Sequence, residues 1–138
     1  LGVGSKKVEE IFRRMVFNVI ASNNDDHVKN FSFLMDKDGK WSLSPAYDIT
    51  FSYNPSNYWL REHQMLINGK SNNISLQDII SSGLNMDIKN KRLTEIIDEV
   101  QASVSNWMAY ASEAKVTNKS AIEIEKIIQE NADKLRIE

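Results

Sequence analysis

Ser22-Asn23-Asn24-Asp25-Asp26-His27-Val28-Lys29-Asn30 is a polar run set between two apolar patterns of different period. On its N-terminal side Val8, Ile11, Phe12, Met15, Val16, Val19 and Ile20 recur at offsets of three and four, which predicts an amphipathic helix. That helix stops near Ser22, because Asn and Asp side chains bond local backbone groups instead of continuing a helix. On the C-terminal side Phe31-Ser32-Phe33-Leu34-Met35 and Trp41-Ser42-Leu43 flank Asp36-Lys37-Asp38-Gly39-Lys40. Two short aromatic and apolar runs joined by five residues, with Gly39 where a positive φ is wanted, predict a β-hairpin. The polar residues therefore lie in a bend between helix and hairpin, not on the wet face of a helix.

Further along, residues 52–73 are rich in Ser, Asn, Tyr and Pro and predict a long irregular connection, with one short strand at His63 to Ile67 ending at Asn68-Gly69. Long loops in compact domains are usually functional or mobile. Ser75-Leu76-Gln77-Asp78 reads as an N-cap and first turn of a short helix that Gly83 closes. Leu93, Ile96, Ile97, Val100, Val104, Trp107, Met108 and Ala111 form one apolar stripe of a longer helix, with Trp107, Met108 and Tyr110 expected to pack. Ser120-Ala121-Ile122-Glu123 has the pattern of a capping box for a last helix that turns Ile124, Ile127, Ile128 and Leu135 inward. The expected fold class is mainly α with a β-hairpin, as a single domain over residues 1–138.

The chain has 138 residues, 41% hydrophobic and 26% charged, with 5 Gly and 2 Pro, the balance of a packed globular domain. Its 17 Lys and Arg face 19 Asp and Glu, so no basic excess points to nucleic acid. Without cysteine, disulfides, thiol nucleophiles and Cys-based zinc sites are excluded. No apolar run approaches the roughly 20 residues of a membrane span, and a cytoplasmic location is expected. The two histidines, His27 and His63, lack the H-E-x-x-H spacing of zinc hydrolases. Asp36-x-Asp38-Gly39 resembles a calcium loop only in part: aligning Gly39 to the loop glycine puts Leu34 at the first ligand position and Pro45 at the bidentate one, so a plain turn is expected.

Chemistry concentrates in the polar bend. Taken singly, Asn23 to Asp26 are helix caps, His27 an ordinary histidine and Asp48 a turn residue. Taken together, Asp25 and Asn30 have the D-x-x-x-x-N spacing of kinase catalytic loops, in which the Asp accepts the substrate hydroxyl proton and the Asn coordinates magnesium. The hairpin runs out and back over similar lengths, so Asp48 is expected to return near Asn30, as two oxygen donors sharing a hard cation must. Asp25 is assigned as the base, Asp26 as its rival and otherwise a solvated neighbour. Lys29 is expected to meet phosphate or to pair with Asp25, or else to be a surface lysine.

The string from Ser22 to Leu34, followed by Trp41-Ser42-Leu43-Ser44-Pro45-Ala46-Tyr47-Asp48-Ile49, resembles the C-terminal region of HipA-like serine/threonine kinases of bacterial toxin-antitoxin systems. The likeness is densest from Asn24 to Asp48, where D-x-H-x-K-N and P-x-Y-D occur together. It implies a helical C-lobe portion of a protein-kinase-like fold, Asp25 at the base position, Asn30 and Asp48 at the Mg2+ positions, and His27 and Lys29 holding the loop or meeting the phosphates of ATP. It also implies a protein serine as acceptor, in known members on an aminoacyl-tRNA synthetase, and restraint by a HipB-type DNA-binding antitoxin. Neither H-R-D nor D-F-G is present. No glycine-rich phosphate loop is visible, and Gly2-Val3-Gly4-Ser5-Lys6 reads as linker or frayed helix start, so ATP binding is expected to need residues upstream of Leu1 and the fragment alone to be inactive. Two other readings stand beside this one. One is a small-molecule phosphotransferase of the aminoglycoside or choline type, whose loop usually carries His-Gly before the Asp. The other is a non-catalytic helical module in which the Tyr53, Tyr58 and Trp59 loop meets a partner. Under the kinase reading Tyr58, Trp59 and Arg61 either contact a protein substrate or dock on the helices.

Overall fold

The computed structural model describes residues 4–136. In chain order it contains α1 (Ser5–Ile20), a 3-10 turn (Val28–Asn30), β1 (Phe33–Met35), β2 (Trp41–Leu43), α2 (Leu76–Asn85), α3 (Asn90–Val104), α4 (Trp107–Glu113) and α5 (Asn118–Lys134). The fold is mainly helical, with β1 and β2 pairing antiparallel in the register Phe33 to Leu43 and Met35 to Trp41. Of the segment read as linker, Gly2 and Val3 lie outside the described residues, Gly4 precedes α1 in extended conformation, and Ser5 opens the helix.

The core lies between α1 and α3 and is closed by α2 and α5. Phe12, Val16, Val19 and Ile20 from α1 meet Leu93, Ile96, Ile97, Val100 and Val104 from α3, with Ile79, Ile128 and Leu135 at the edges. Each fully buried Ile, Leu or Phe side chain stabilises the fold by roughly 1.5–3 kcal/mol relative to exposure. Across this seam Arg92 binds Glu9 at 2.9 Å, and it also reaches Glu95 and Glu99 on its own helix. Among the described residues no helix is long and apolar enough to cross a membrane.

Several local expectations are corrected. The segment His63 to Ile67 is not a strand. Only Ile67 pairs, with Lys70, around Asn68 and Gly69 at φ 50° and 78°. Two consecutive left-handed residues close a tight local turn, while the N–H groups of Gln64 and Met65 are drawn elsewhere. Gly83 does not close α2, which runs on to Asn85; a Cβ there would collide with Leu93 and Phe12, so the glycine permits close helix approach. The long stripe breaks into α3 and α4 because Ser105 Oγ and Asn106 Nδ2 both donate to the carbonyl of Ala102, at 2.8 and 3.0 Å. After the break Trp107 Nε1 donates to Ala121 O at 2.9 Å, while Met108 and Tyr110 are exposed instead of packed. The cap of α5 is Thr117, whose hydroxyl accepts from Ser120 N, so Ser120 lies inside the helix and not at a capping box. The expected N-cap at Ser75 is present, and with Asp78 it forms a full capping box.

Candidate active site

The polar bend is held by remote partners. Ser22 takes a left-handed conformation, φ 51°, and the Asn23 N–H returns to Asn18 O at 2.9 Å. From α5, Asn131 Nδ2 donates to Val19 O, Ile20 O and Ser22 Oγ, satisfying carbonyls that the end of α1 leaves open. Asn23 is buried and bonds Asn18 Oδ1. Asn24 donates its amide to Leu60 O and accepts from Gln64 N through its carbonyl. Asp26, 3% exposed, accepts from Gln64 N and Met65 N on Oδ1 and pairs with His63 Nδ1 at 2.8 Å on Oδ2. The solvated neighbour expected at this position is therefore a buried anchor. Nothing in the local sequence marks its partners, which lie 37 to 39 residues away.

Between these two anchors Asp25 leaves its carboxylate 43% exposed. Its N–H donates to Ser52 Oγ at 3.0 Å and its carbonyl accepts from Asn30 Nδ2 at 2.9 Å. The 3-10 turn makes the second bond, because the Asn30 N–H closes on His27 O and brings the Asn30 side chain back over Asp25. With Nδ2 committed, Oδ1 of Asn30 is the part of the amide left to accept. His27 Nε2 stands 3.9 Å from Asp25 Oδ1, beyond hydrogen-bond reach, and its Nδ1 is buried without a partner. Lys29 is exposed and makes no ion pair with Asp25.

The return leg of the hairpin is tied to the same bend. Arg14 donates to Ser44 O at 2.8 Å, and the Tyr47 hydroxyl donates to Lys29 O at 2.6 Å. A narrow cleft is lined by Arg14, Asn23, Asp26 and Asn30 together with Ala46 and Ile49, which flank Tyr47 and Asp48 in the chain. Asp48 itself is exposed and left-handed at φ 54°. Ser52 then bridges the two arms: its N–H donates to Ser22 O, and its hydroxyl donates to Asn23 Oδ1 while accepting from Asp25. Spacing does not single out Arg14, Ser52 or His63 as site residues, since each acts through bonds to groups about 30 or more residues away. Tyr47 carried one signal, its place just before Asp48.

Asp36 forms no such site. Its Oδ1 accepts from Asp38 N and Lys40 N at 2.9 Å each, and Gly39 has φ 78°, which is the plain turn expected. Among the described residues no group of three or more His, Cys, Asp or Glu side chains is arranged to hold a metal. In the loop beyond, Tyr58 and Trp59 are 67% and 65% exposed, edge to face at 5.1 Å, with Arg61 over the Tyr58 ring at 4.9 Å. These aromatics stack on one another and do not dock on the helices.

The bend joins an exposed Asp25 to Asn30 through one side-chain hydrogen bond, and Asp48 follows the hairpin as an exposed residue. The chain belongs to the family described as the HipA-like C-terminal domain, whose model matches residues 2–108. It is also similar to a Haemophilus influenzae protein named "Putative kinase", at 46% identity over 40 residues, 29% of this chain. That stretch spans 12% of the length of the H. influenzae protein.

Proposed function

We propose that this domain supplies the base and metal side of the active site of a HipA-like serine/threonine protein kinase, with the nucleotide-binding part contributed by residues upstream of Leu1. The observation that carries the reading is the bond from Asn30 Nδ2 to Asp25 O, which couples the proposed base to the proposed metal ligand. In this reading Asp25 receives the proton of a protein serine hydroxyl, a role that needs an exposed, well-placed carboxylate. Asn30 Oδ1 and the Asp48 carboxylate are hard oxygen donors of the kind Mg2+ prefers, and they would hold it. The ion, when bound, neutralises charge on the bridging phosphate oxygens of ATP. Lys29, exposed within the 3-10 turn, is available to a phosphate oxygen, and His27, whose ring nitrogens make no hydrogen bond, stands beside Asp25. The toxin role, an aminoacyl-tRNA synthetase as substrate and a HipB-type antitoxin as partner belong to this proposal through the family likeness alone.

The test is ATP-dependent phosphorylation by the intact kinase and by its Asp25→Asn and Asp48→Asn variants. Loss of the base is expected to lower turnover by about 10²–10⁴-fold. Asp48→Asn is expected to abolish the Mg2+ dependence along with activity. Undiminished phosphorylation by both variants overturns the assignment.

A further inference from the structure

Two adjacent carboxylates in this bend have opposite fates. Asp25 is half exposed, whereas Asp26 is buried and receives three donors: the N–H of Gln64 at 2.7 Å, the N–H of Met65 at 3.1 Å and His63 Nδ1 at 2.8 Å. A carboxylate only accepts, so the His63 ring presents Nδ1–H to it. The His63 side chain is itself 9% exposed. In so dry a setting a charge-assisted bond is short and directional, and deleting either partner strands the other.

The consequence falls on Asp25. The preceding residue, Asn24, is bonded to the same 60–65 stretch through its carbonyl and its amide, and the following residue is Asp26. The N–H and carbonyl of Asp25 are held by Ser52 and Asn30. Each backbone polar group from Asn24 O through Asp25 O therefore has a partner, and Asp25 keeps only its side-chain torsions. A fold staple alone would not call for a buried carboxylate–imidazole pair here, since apolar side chains of similar volume commonly stabilise as well or better.

We propose that Asp26 and His63 are a positioning pair that fixes the Asp25 backbone, and with it the reach of the Asp25 carboxylate toward the acceptor hydroxyl. This rests on the reading of Asp25 as the base. Neither residue of the pair touches substrate. A displacement of about 1 Å at a reacting group costs about 10²-fold in rate, and that is the effect assigned to loss of the pair.

The experiment compares His63→Leu, which removes the donor, with His63→Asn, whose amide nitrogen stands where Nδ1 stood. In the intact kinase, at a temperature where both variants are folded, His63→Leu is expected to lower kcat by about 10²-fold with KM for ATP unchanged. His63→Asn is expected to recover most of the loss. In amide spectra of this chain, the Asp25 and Asn30 resonances are expected to move in the Leu variant and return in the Asn variant. Should His63→Leu fail to fold, His63→Phe keeps the ring and drops the donor. Wild-type kcat in the donor-less variant beside an inactive Asp25→Asn overturns the positioning role and leaves the base in place. Shifts spread over the whole core in both variants overturn it as well, by showing a general staple. Full activity of Asp25→Asn overturns both the base and the pair.

Discussion

Residues 22–30 and 36–40 are both short, Asp-rich bends that end a regular element, and by composition they look alike. They differ in where their hydrogen bonds go. In the hairpin turn, Asp36 bonds N–H groups two and four residues ahead, so the turn closes on itself. In the first bend, Asn24, Asp25 and Asp26 bond Leu60, Ser52 and residues 63 to 65, and Asn131 reaches in from α5. Local bonds shape a turn and can form in an isolated peptide, whereas remote bonds exist only once the chain has folded around them. A polar cluster built from remote bonds has its side chains placed by the whole domain, which is what a catalytic constellation requires and a turn does not.

The largest expected effect sharpens that contrast on neighbouring residues. Asp26→Ala strands His63 Nδ1 and the Met65 N–H in a buried setting and leaves the Gln64 N–H only its bond to Asn24 O, and is expected to destabilise the domain by about 3–5 kcal/mol. Asp25→Ala removes a carboxylate that makes no close bond, and is expected to change stability by no more than about 0.5 kcal/mol. Urea unfolding of the two variants checks the pair. Equal losses would mean that the first bend tolerates change as an ordinary turn does, and the contrast would fail.

Asp78 stands between the two extremes, because it joins a local capping box to Asn68 and Lys70 in the preceding loop. The Lys70 ammonium, then Ser75 and Asn68, hold its carboxyl well below the ordinary 3.8. A carboxyl depressed on folding contributes stability that is complete above its unfolded value and is lost as pH falls from about 3.8 toward the folded value. Unfolding midpoints measured from pH 5 down to pH 2 are therefore expected to fall more steeply in the wild type than in Asp78→Asn. Parallel pH profiles would remove Asp78 from the account.

The same local and remote division explains what the sequence made legible. The α1 stripe, the hairpin, the N-cap at Ser75 and the Asp25 to Asn30 spacing all rest on neighbours within a few residues, and pattern alone finds them. The break between α3 and α4 is also local, but the apolar stripe runs through it in phase, so Ser105 and Asn106 are masked by the periodicity. Gly83 carries the usual sign of a helix end, and only the closeness of Phe12 and Leu93 shows that it serves packing. The buried state of Asp26, the bridging by Ser52 and the anchoring by His63 depend on an aperiodic segment tens of residues away. A single sequence has no signal for them.

The smallest expected effect belongs to the hairpin turn. Asp36→Ala frees the N–H groups of Asp38 and Lys40, but that turn is exposed, so water replaces the lost acceptor and the cost is about 0.5–1 kcal/mol. Gly39 keeps its left-handed conformation, which holds the turn type without the carboxylate. Under the proposed function, phosphorylation is expected to be unchanged, since Asp36 bonds nothing in the first bend. Thermal unfolding with and without calcium completes the test: the carboxylate already accepts from its own turn, so calcium is expected to leave the midpoint of the wild type where it was. A calcium-dependent rise that Asp36→Ala removes would make this turn a cation site, and the two bends would then differ in ligand and not in the reach of their hydrogen bonds.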